Sequence, residues 1–248
     1  MATPETFTVR YLGGPTALLD YGGVTILVDP TFDPPGDYPI GERVLTKTAG
    51  AALTADEVGP VDVVLLSHDQ HPDNLDHGGR DYVDTARLVL STRSAEERLG
   101  GAVLGLPNWV SQEFDLPAGG TAVVTGVPAL HGPEGSEPVV GEVTGFVLTG
   151  EDLPTVYISG DNASLDRVRE IADRYAPVDV ALLFAGGART PLLDFAYLTL
   201  TSAEAAEAAE ILQARAVVPL HFEQWAHFSE GGEQLEAAFA AAGVLARQ

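Results

Sequence analysis

From Val63 the chain reads Val-Val-Leu-Leu-Ser-His-Asp-Gln-His-Pro-Asp-Asn-Leu-Asp. An apolar run ends in a loop that carries two histidines and three carboxylates. Val61 to Ser67 reads as a strand of the fully buried kind, with little of the polar alternation that marks a half-exposed one. Such a strand needs cover on both faces. Its polar groups then fall at the carboxyl end, where α/β arrangements place their chemistry.

The rest of the chain supplies the cover. Phe7 to Leu12, Thr16 to Asp20 and Val24 to Asp29 are β-rich runs separated by Gly13-Gly14-Pro15 and Gly22-Gly23, as in a meander with tight turns. Thr31 to Gly41, rich in Pro and Asp, reads as a loop. Arg87 to Ser91, Thr121 to Val127, Glu142 to Thr149, Thr155 to Ser159 and Ala216 to Leu220 read as further strands. Leu165, Val168, Ile171, Ala172 and Tyr175 share one helical face. Thr201-Ser202-Ala203-Glu204 opens an Ala-rich helix expected to end near Arg215. Gln234 to Ala242 reads as a closing helix with Gly243 as its stop. The order predicts an α+β fold, a four-layer αββα sandwich in which two sheets pack face to face beneath outer helices. Residues 1–248 are expected to form a single domain.

Composition narrows the chemistry. The chain has no cysteine, so thiolate sites are excluded and His, Asp and Glu are the strong metal ligands available. The net charge is −23, with 13 basic residues and a single lysine, Lys47, which disfavours a polyphosphate partner. Apolar runs are strand-length, and residues 1–5 lack the basic and apolar regions of a signal peptide. These features predict a cytoplasmic protein with a small-molecule substrate, without nucleic-acid or membrane partners. Oligomeric state is left open. No Gly-x-Ser-x-Gly, Walker loop or dinucleotide fingerprint is present, which disfavours a serine hydrolase and the common nucleotide sites.

Three later segments repeat the pattern of strand followed by ligand-type residue. Val123 to Leu130 leads to His131, Val156 to Gly160 leads to Asp161, and Val217 to Leu220 leads to His221. Each histidine alone reads as well as a hydrogen-bonded structural group. Their recurrence with His68 and His71 points to one shared site. His77 and His227 fall in loop or helical contexts and read as structural, with His227 near enough to His221 to line the same mouth. Asp29, after a strand and before Pro30, reads either as a group orienting a histidine or as a turn cap.

In order and spacing these blocks resemble the metallo-β-lactamase-fold hydrolases, and within them the ascorbate-6-phosphate-lactonase-like branch. The resemblance runs from Gly13–Gly23 and Ile26–Pro30 through Ser67-His68-Asp69, Asn74-Leu75-Asp76 and His131 to Ser159-Gly160-Asp161 and Pro219-Leu220-His221. It implies one metal position built from His68, His71 and His131. A second would use Asp73, the position of Asn74, and His221, with Asp161 bridging the two. The family pattern His-x-His-x-Asp-His is altered here. If Gln70 is an insertion, His71 is the second histidine and Asn74 replaces the last one; if not, Gln70 occupies the second position. An amide oxygen is a poorer ligand than imidazole, so Asp69, Asp73 or Asp76 are candidates to rebuild the second position.

The cofactor implied is divalent zinc or manganese, one or two ions. The reaction implied is hydrolysis of a small-molecule ester, lactone, amide or phosphoester by metal-activated water. Asp73 and Asp76 are the candidates to orient that water or move its proton. The alternative is a metal- or ligand-binding protein that keeps the scaffold without turnover.

Overall fold

The computed structural model describes residues 7–41 and 43–244. In chain order the first half contains β1 (Phe7–Gly13), β2 (Thr16–Tyr21), β3 (Val24–Val28), β4 (Gly36–Ile40), β5 (Arg43–Lys47), α1 (Ala55–Val58), β6 (Val63–Leu65), α2 (His77–Thr85), β7 (Val89–Ser91), α3 (Arg93–Leu99) and β8 (Val103–Gly105). The second half contains β9 (Ser111–Asp115), β10 (Thr121–Pro128), α4 (Glu137–Val140), β11 (Thr144–Gly150), β12 (Val156–Ile158), α5 (Leu165–Tyr175), β13 (Val180–Phe184), α6 (Ser202–Ile211), β14 (Ala216–Leu220) and α7 (Gly232–Ala242).

Two six-stranded sheets, ordered β1-β2-β3-β6-β7-β8 and β14-β13-β12-β11-β10-β9, face each other. Each begins as an antiparallel meander or hairpin and becomes parallel where helices cross over, at β3-β6-β7-β8 and at β12-β13-β14. The inner core joins Leu19, Ile26 and Leu65 of one sheet to Phe146, Ile158, Leu182 and Phe184 of the other. A second cluster lies under α5, α6 and α7, and a third beneath α2 and α3. The expected four layers are therefore present.

The helices follow their sequence signals. Val168 and Ile171 bury the inner face of α5, and Ser164 caps its first turn. Thr201 and Glu204 form the reciprocal capping box at the start of α6. The buried Ala205, Ala206, Ala208 and Ala209 let α6 lie close to its neighbours. That helix stops at Ile211, earlier than the Arg215 boundary read from sequence, because Gln213 turns the chain at φ 51° into β14.

The sequence reading leaves several elements unassigned, among them β5, β8, β9 and α1 to α4. Val180 to Phe184, unassigned in the sequence reading, is the fully paired strand β13 between β12 and β14. A short apolar run carries no period that separates strand from buried helix. The Pro-rich segment read as a loop contains β4, which pairs with β5 in a hairpin outside both sheets.

Tertiary clips explain the hairpin. Lys47, only 1% exposed, donates to Asp76 Oδ2 at 2.7 Å and to the Thr31 carbonyl at 3.2 Å. Trp225 lies under the ammonium group at 5.7 Å and packs against Tyr38. Thr48 donates to the Gln224 carbonyl and Ala226 to the Thr46 carbonyl, so the segment after β14 runs along β5. No described helix is long and apolar enough to cross a membrane.

Candidate metal centre

Five strands that run in the same sense within their sheets, β10 among them although it pairs antiparallel with β9 and β11, deliver their carboxyl ends to one rim. Asp29 follows β3, His68 follows β6, His131 follows β10, Asp161 follows β12 and His221 follows β14. At Gly160, where φ is +55°, an added Cβ would lie 2.7 Å from the Thr144 carbonyl oxygen and 2.8 Å from the Ser67 Cβ. A side chain there would push Asp161 away from the β6 loop.

Three imidazoles and one carboxylate meet at this rim. One ligand atom each from His68, His71, His131 and Asp161 lies within 4.8 Å of all the others. His71 Nδ1 sits 2.9 Å from His68 Nε2 and 3.2 Å from His131 Nε2. The tautomers follow from the outer partners. His131 Nδ1 lies 2.8 Å from the Leu198 carbonyl, which only accepts, so that nitrogen carries the proton. The Ser67 hydroxyl donates to Asp29 Oδ2 at 2.6 Å and therefore accepts from His68 Nδ1 at 3.0 Å. Both Nε2 atoms then aim lone pairs at His71 Nδ1, which has one proton at most. At least one of these contacts is a lone pair against a lone pair. A divalent cation among the three nitrogens removes the conflict, and this is the observation that fits the donor set to a metal.

Electrostatics agree. Burial, with the neighbouring His71 and His131 rings, holds the His68 imidazole well below its ordinary pKa. Burial and His131 lower His71 to about 4. Both are neutral at neutral pH, the form that binds metal. Asp29 orients the set: Oδ1 accepts from the Ser67 amide at 2.6 Å, and Oδ2 takes the Ser67 hydroxyl and Asn74 Nδ2. Its own pKa is raised to about 7, chiefly by burial. Ser67→Ala should weaken metal binding by roughly 10- to 100-fold, the usual cost of losing an outer hydrogen-bond partner, as read by competition with a chromophoric chelator. An unchanged affinity would show that the Asp29–Ser67 chain does not fix the ring.

A second group adjoins the first through Asp161. His221 Nε2 lies 3.5 Å from Asp161 Oδ1 and 3.4 Å from Asp73 Oδ2, and His227 Nε2 lies 3.1 Å from the same Asp73 oxygen. Burial pushes the Asp73 carboxyl up, but the His227 and His221 rings outweigh it and hold it well below the usual range. Burial would lower His221, yet Asp161 and Asp73 prevail and raise it. Asp73 Oδ1 is buried without a hydrogen-bond partner.

The structure places His68, His71, Asp73, Asn74, His131, Asp161 and His221 at this rim, and it alters several expected roles. His71 faces the cluster, while Gln70 is exposed and lies across Gly141. The reading with Gln70 as an insertion therefore describes the geometry. Asn74, expected as an oxygen ligand, enters as a donor: Nδ2 reaches Asp29 Oδ2 and Asp161 Oδ1, each at 3.1 Å. Reversing the amide would set its oxygen against two carboxylates. As placed, Asn74 Oδ1 is buried without a partner.

Asp76, expected to orient water, is instead structural. It caps α2 by accepting from Gly79, takes the Phe32 and Asp33 amides, and pairs with Lys47. Its acceptor sites are filled. Asp69 is likewise engaged by the Arg98 guanidinium through Nε at 2.9 Å and Nη2 at 2.5 Å. His227, read from sequence as structural but near enough to His221 to line the same mouth, lies at the rim against Asp73.

Comparison with known proteins agrees with the fold. The family model described as beta-lactamase superfamily domain matches residues 24–222. A UPF0173 metal-dependent hydrolase of Rubrobacter xylanophilus is 32% identical over 225 residues, covering 86% of this chain and 81% of that protein. A UPF0173 metal-dependent hydrolase of Pyrococcus horikoshii is 27% identical over 239 residues, covering 92% of this chain and 90% of the relative. Among solved structures, a possible metal-dependent hydrolase from Veillonella parvula superposes with a TM-score of 0.82 at 18% identity, covering 97% of this chain and 96% of that one. An isothiocyanate hydrolase from Delia radicum gut bacteria gives 0.80 at 17% identity, covering 97% and 95%. At these identities the structural likeness speaks for the fold alone. The matched domain and the relatives, together with the three-imidazole cluster at the rim, show that the chain belongs to the metallo-β-lactamase superfamily, in its family of UPF0173 metal-dependent hydrolases.

Proposed function

We propose that this hydrolase cleaves a small-molecule ester, lactone, amide or phosphoester with water activated at the His68–His71–His131–Asp161 centre. The observation that carries the reading is the meeting of three imidazole nitrogens, where His68 and His131 already commit their protons to Ser67 and the Leu198 carbonyl and so turn lone pairs toward His71. A divalent cation bound there supplies Lewis acidity and lowers the pKa of water from about 15.7 to about 7. Zinc and manganese suit the mixed imidazole and carboxylate set.

The chain's own groups do the remaining work. Asp73 is ionised at neutral pH, and its free Oδ1 is the acceptor available to orient a water and take its proton. His131 and His68 are held in register by the Leu198 carbonyl and by Ser67, which limits reorganisation during the reaction. The segment leading into Leu198 exposes Leu192, Phe195 and Tyr197, the last two at 64% and 38%. These side chains offer an apolar surface next to the element that holds His131. That surface and the net charge of −23 favour a small substrate of low negative charge over a polyanion. A lactone, as in the branch that the sequence blocks resemble, meets both conditions.

The test is a panel of lactones, esters, amides and phosphodiesters assayed with metal-loaded protein, then after chelation, then after return of zinc or manganese. Hydrolysis lost and restored with the metal supports the reading. Fully metal-loaded protein with no turnover on any class would contradict it and favour a binding protein on the same scaffold.

A further inference from the structure

We propose that a cleft beside the metal centre selects substrates that carry a single carboxylate, and that Arg80 is the residue that binds it. The proposal rests on the hydrolysis proposed above and names the kind of ester, lactone or amide that the site takes.

The position of the cleft is the first support. His68, His131, Asp161 and His221 are buried, whereas His71 and His227 keep some exposure, so solvent reaches the centre on their side. A cleft of about 250 Å³ lies between the β4–β5 hairpin and the loop after β6. On the loop side its wall includes Gln70 and Pro72, the neighbours of His71 in the chain. On the hairpin side its wall is Tyr38, whose ring packs against Trp225 at 5.2 Å, and Trp225 in turn packs against His227 at 6.4 Å. The insertion that alters the histidine motif therefore shapes this cleft. The buried Lys47–Asp76 pair ties the hairpin to the start of α2 and fixes the width between them. The volume lies below the roughly 300–1,000 Å³ of sites for drug-sized ligands, so the occupant is compact.

The charge of the lining is the second support. Its two acidic residues already hold cations, Arg98 on Asp69 and Lys47 on Asp76. Asp33, which touches Tyr38 and His77, fills its oxygens with the Tyr38 hydroxyl and the His77 and Gly78 amides. Arg80 is exposed on α2 and also lines the cleft, and its side chain forms no hydrogen bond or ion pair with any described residue. One positive charge is thus left without a partner, in a chain whose net charge is −23. A guanidinium presents a planar fork of donors that matches a carboxylate. One guanidinium balances one negative charge, and a phosphate dianion would keep a surplus in this negative field. Tyr38, Ile40, Pro72 and Leu75 offer apolar cover for the carbon frame of such a monoanion.

The experiment uses matched pairs: monoethyl succinate with ethyl succinamate, and the γ-lactone of hydroxyglutaric acid with its primary amide. Within each pair only the charge of the non-reacting acyl group changes. Metal-loaded parent, Arg80→Ala and Arg80→Lys proteins are assayed on both members, and saturation-transfer NMR reads binding independently of turnover. The parent should favour the carboxylates by roughly 10-fold or more in kcat/KM, the scale of one charge-assisted hydrogen-bonded pair. Arg80→Ala should abolish that preference, chiefly by raising KM for the carboxylates, with metal content and melting preserved. Arg80→Lys should keep part of it. A parent that binds neither carboxylate, a parent without preference, or a preference that survives Arg80→Ala would overturn the proposal. Hydrolysis of both members at equal rates would do so while leaving the hydrolase reading in place. Carboxylates that bind through Arg80 without turnover of either member would support the cleft and count against the hydrolase reading.

Discussion

His131→Ala should leave the protein folded and lower its affinity for zinc or manganese by more than 100-fold. The side chain contributes one of three convergent nitrogens, and its proton is fixed on the Leu198 carbonyl, so no neighbour can substitute for it. Losing an outer partner alone costs 10- to 100-fold in metal affinity, and losing the ligand exceeds that. The inner core of Leu19, Leu65, Phe146 and Phe184 does not include this residue, so the melting behaviour of the metal-free protein should change little. Chelator competition and a thermal melt of the stripped protein separate the two effects. A variant with unchanged metal affinity would remove His131 from the centre. One that loses affinity only because it unfolds would show that the ring is structural.

Lys47→Met should cost stability directly, by about 3–5 kcal/mol, the loss typical when one partner of a buried ion pair is removed. Lys47 and Asp76 are both shielded from solvent, and the ammonium group is the cation that compensates the Asp76 carboxylate. For a chain of this size such a loss lowers the melting temperature by roughly 6–20 °C. Lys47→Met combined with Asp76→Asn removes both charges and should recover part of the loss, because the amide oxygen still accepts from the Phe32 amide and from Gly79 in the first turn of α2. If the single variant melts with the parent protein, Lys47 is not the clip that holds the hairpin. The same variant tests how the rim is built, since β5 carries Lys47 at its end and receives the segment bearing His227.

How much of this was legible in the residues differs from element to element. His68, His131, Asp161 and His221 each follow an apolar strand, and that grammar survives folding because β6, β12 and β14 lie in parallel runs and β10 shares the direction of β12 across antiparallel β11. Asp29 was legible as an orienting group or a turn cap, and its hydrogen bonds to Ser67 give it the first role. The choice between Gln70 and His71 was not legible, since a one-residue insertion in a loop leaves no periodic trace. Asp76 resembled a catalytic carboxylate because nothing in the sequence shows that Lys47, 29 residues upstream, would bury against it. His227 was legible as a neighbour of His221 at the same mouth, but its approach to Asp73 was not. Its position depends on two left-handed turns and on pairing with a hairpin that the Pro-rich sequence did not announce.

The central claim is that the rim is a metal centre, and elemental analysis of protein purified without added metal tests it most directly. The account predicts at least one tightly held equivalent of a divalent transition metal, retained through dilution and gel filtration and absent from the His68→Ala and His131→Ala proteins. A folded parent protein that carries no metal and takes none up when zinc or manganese is supplied would contradict it.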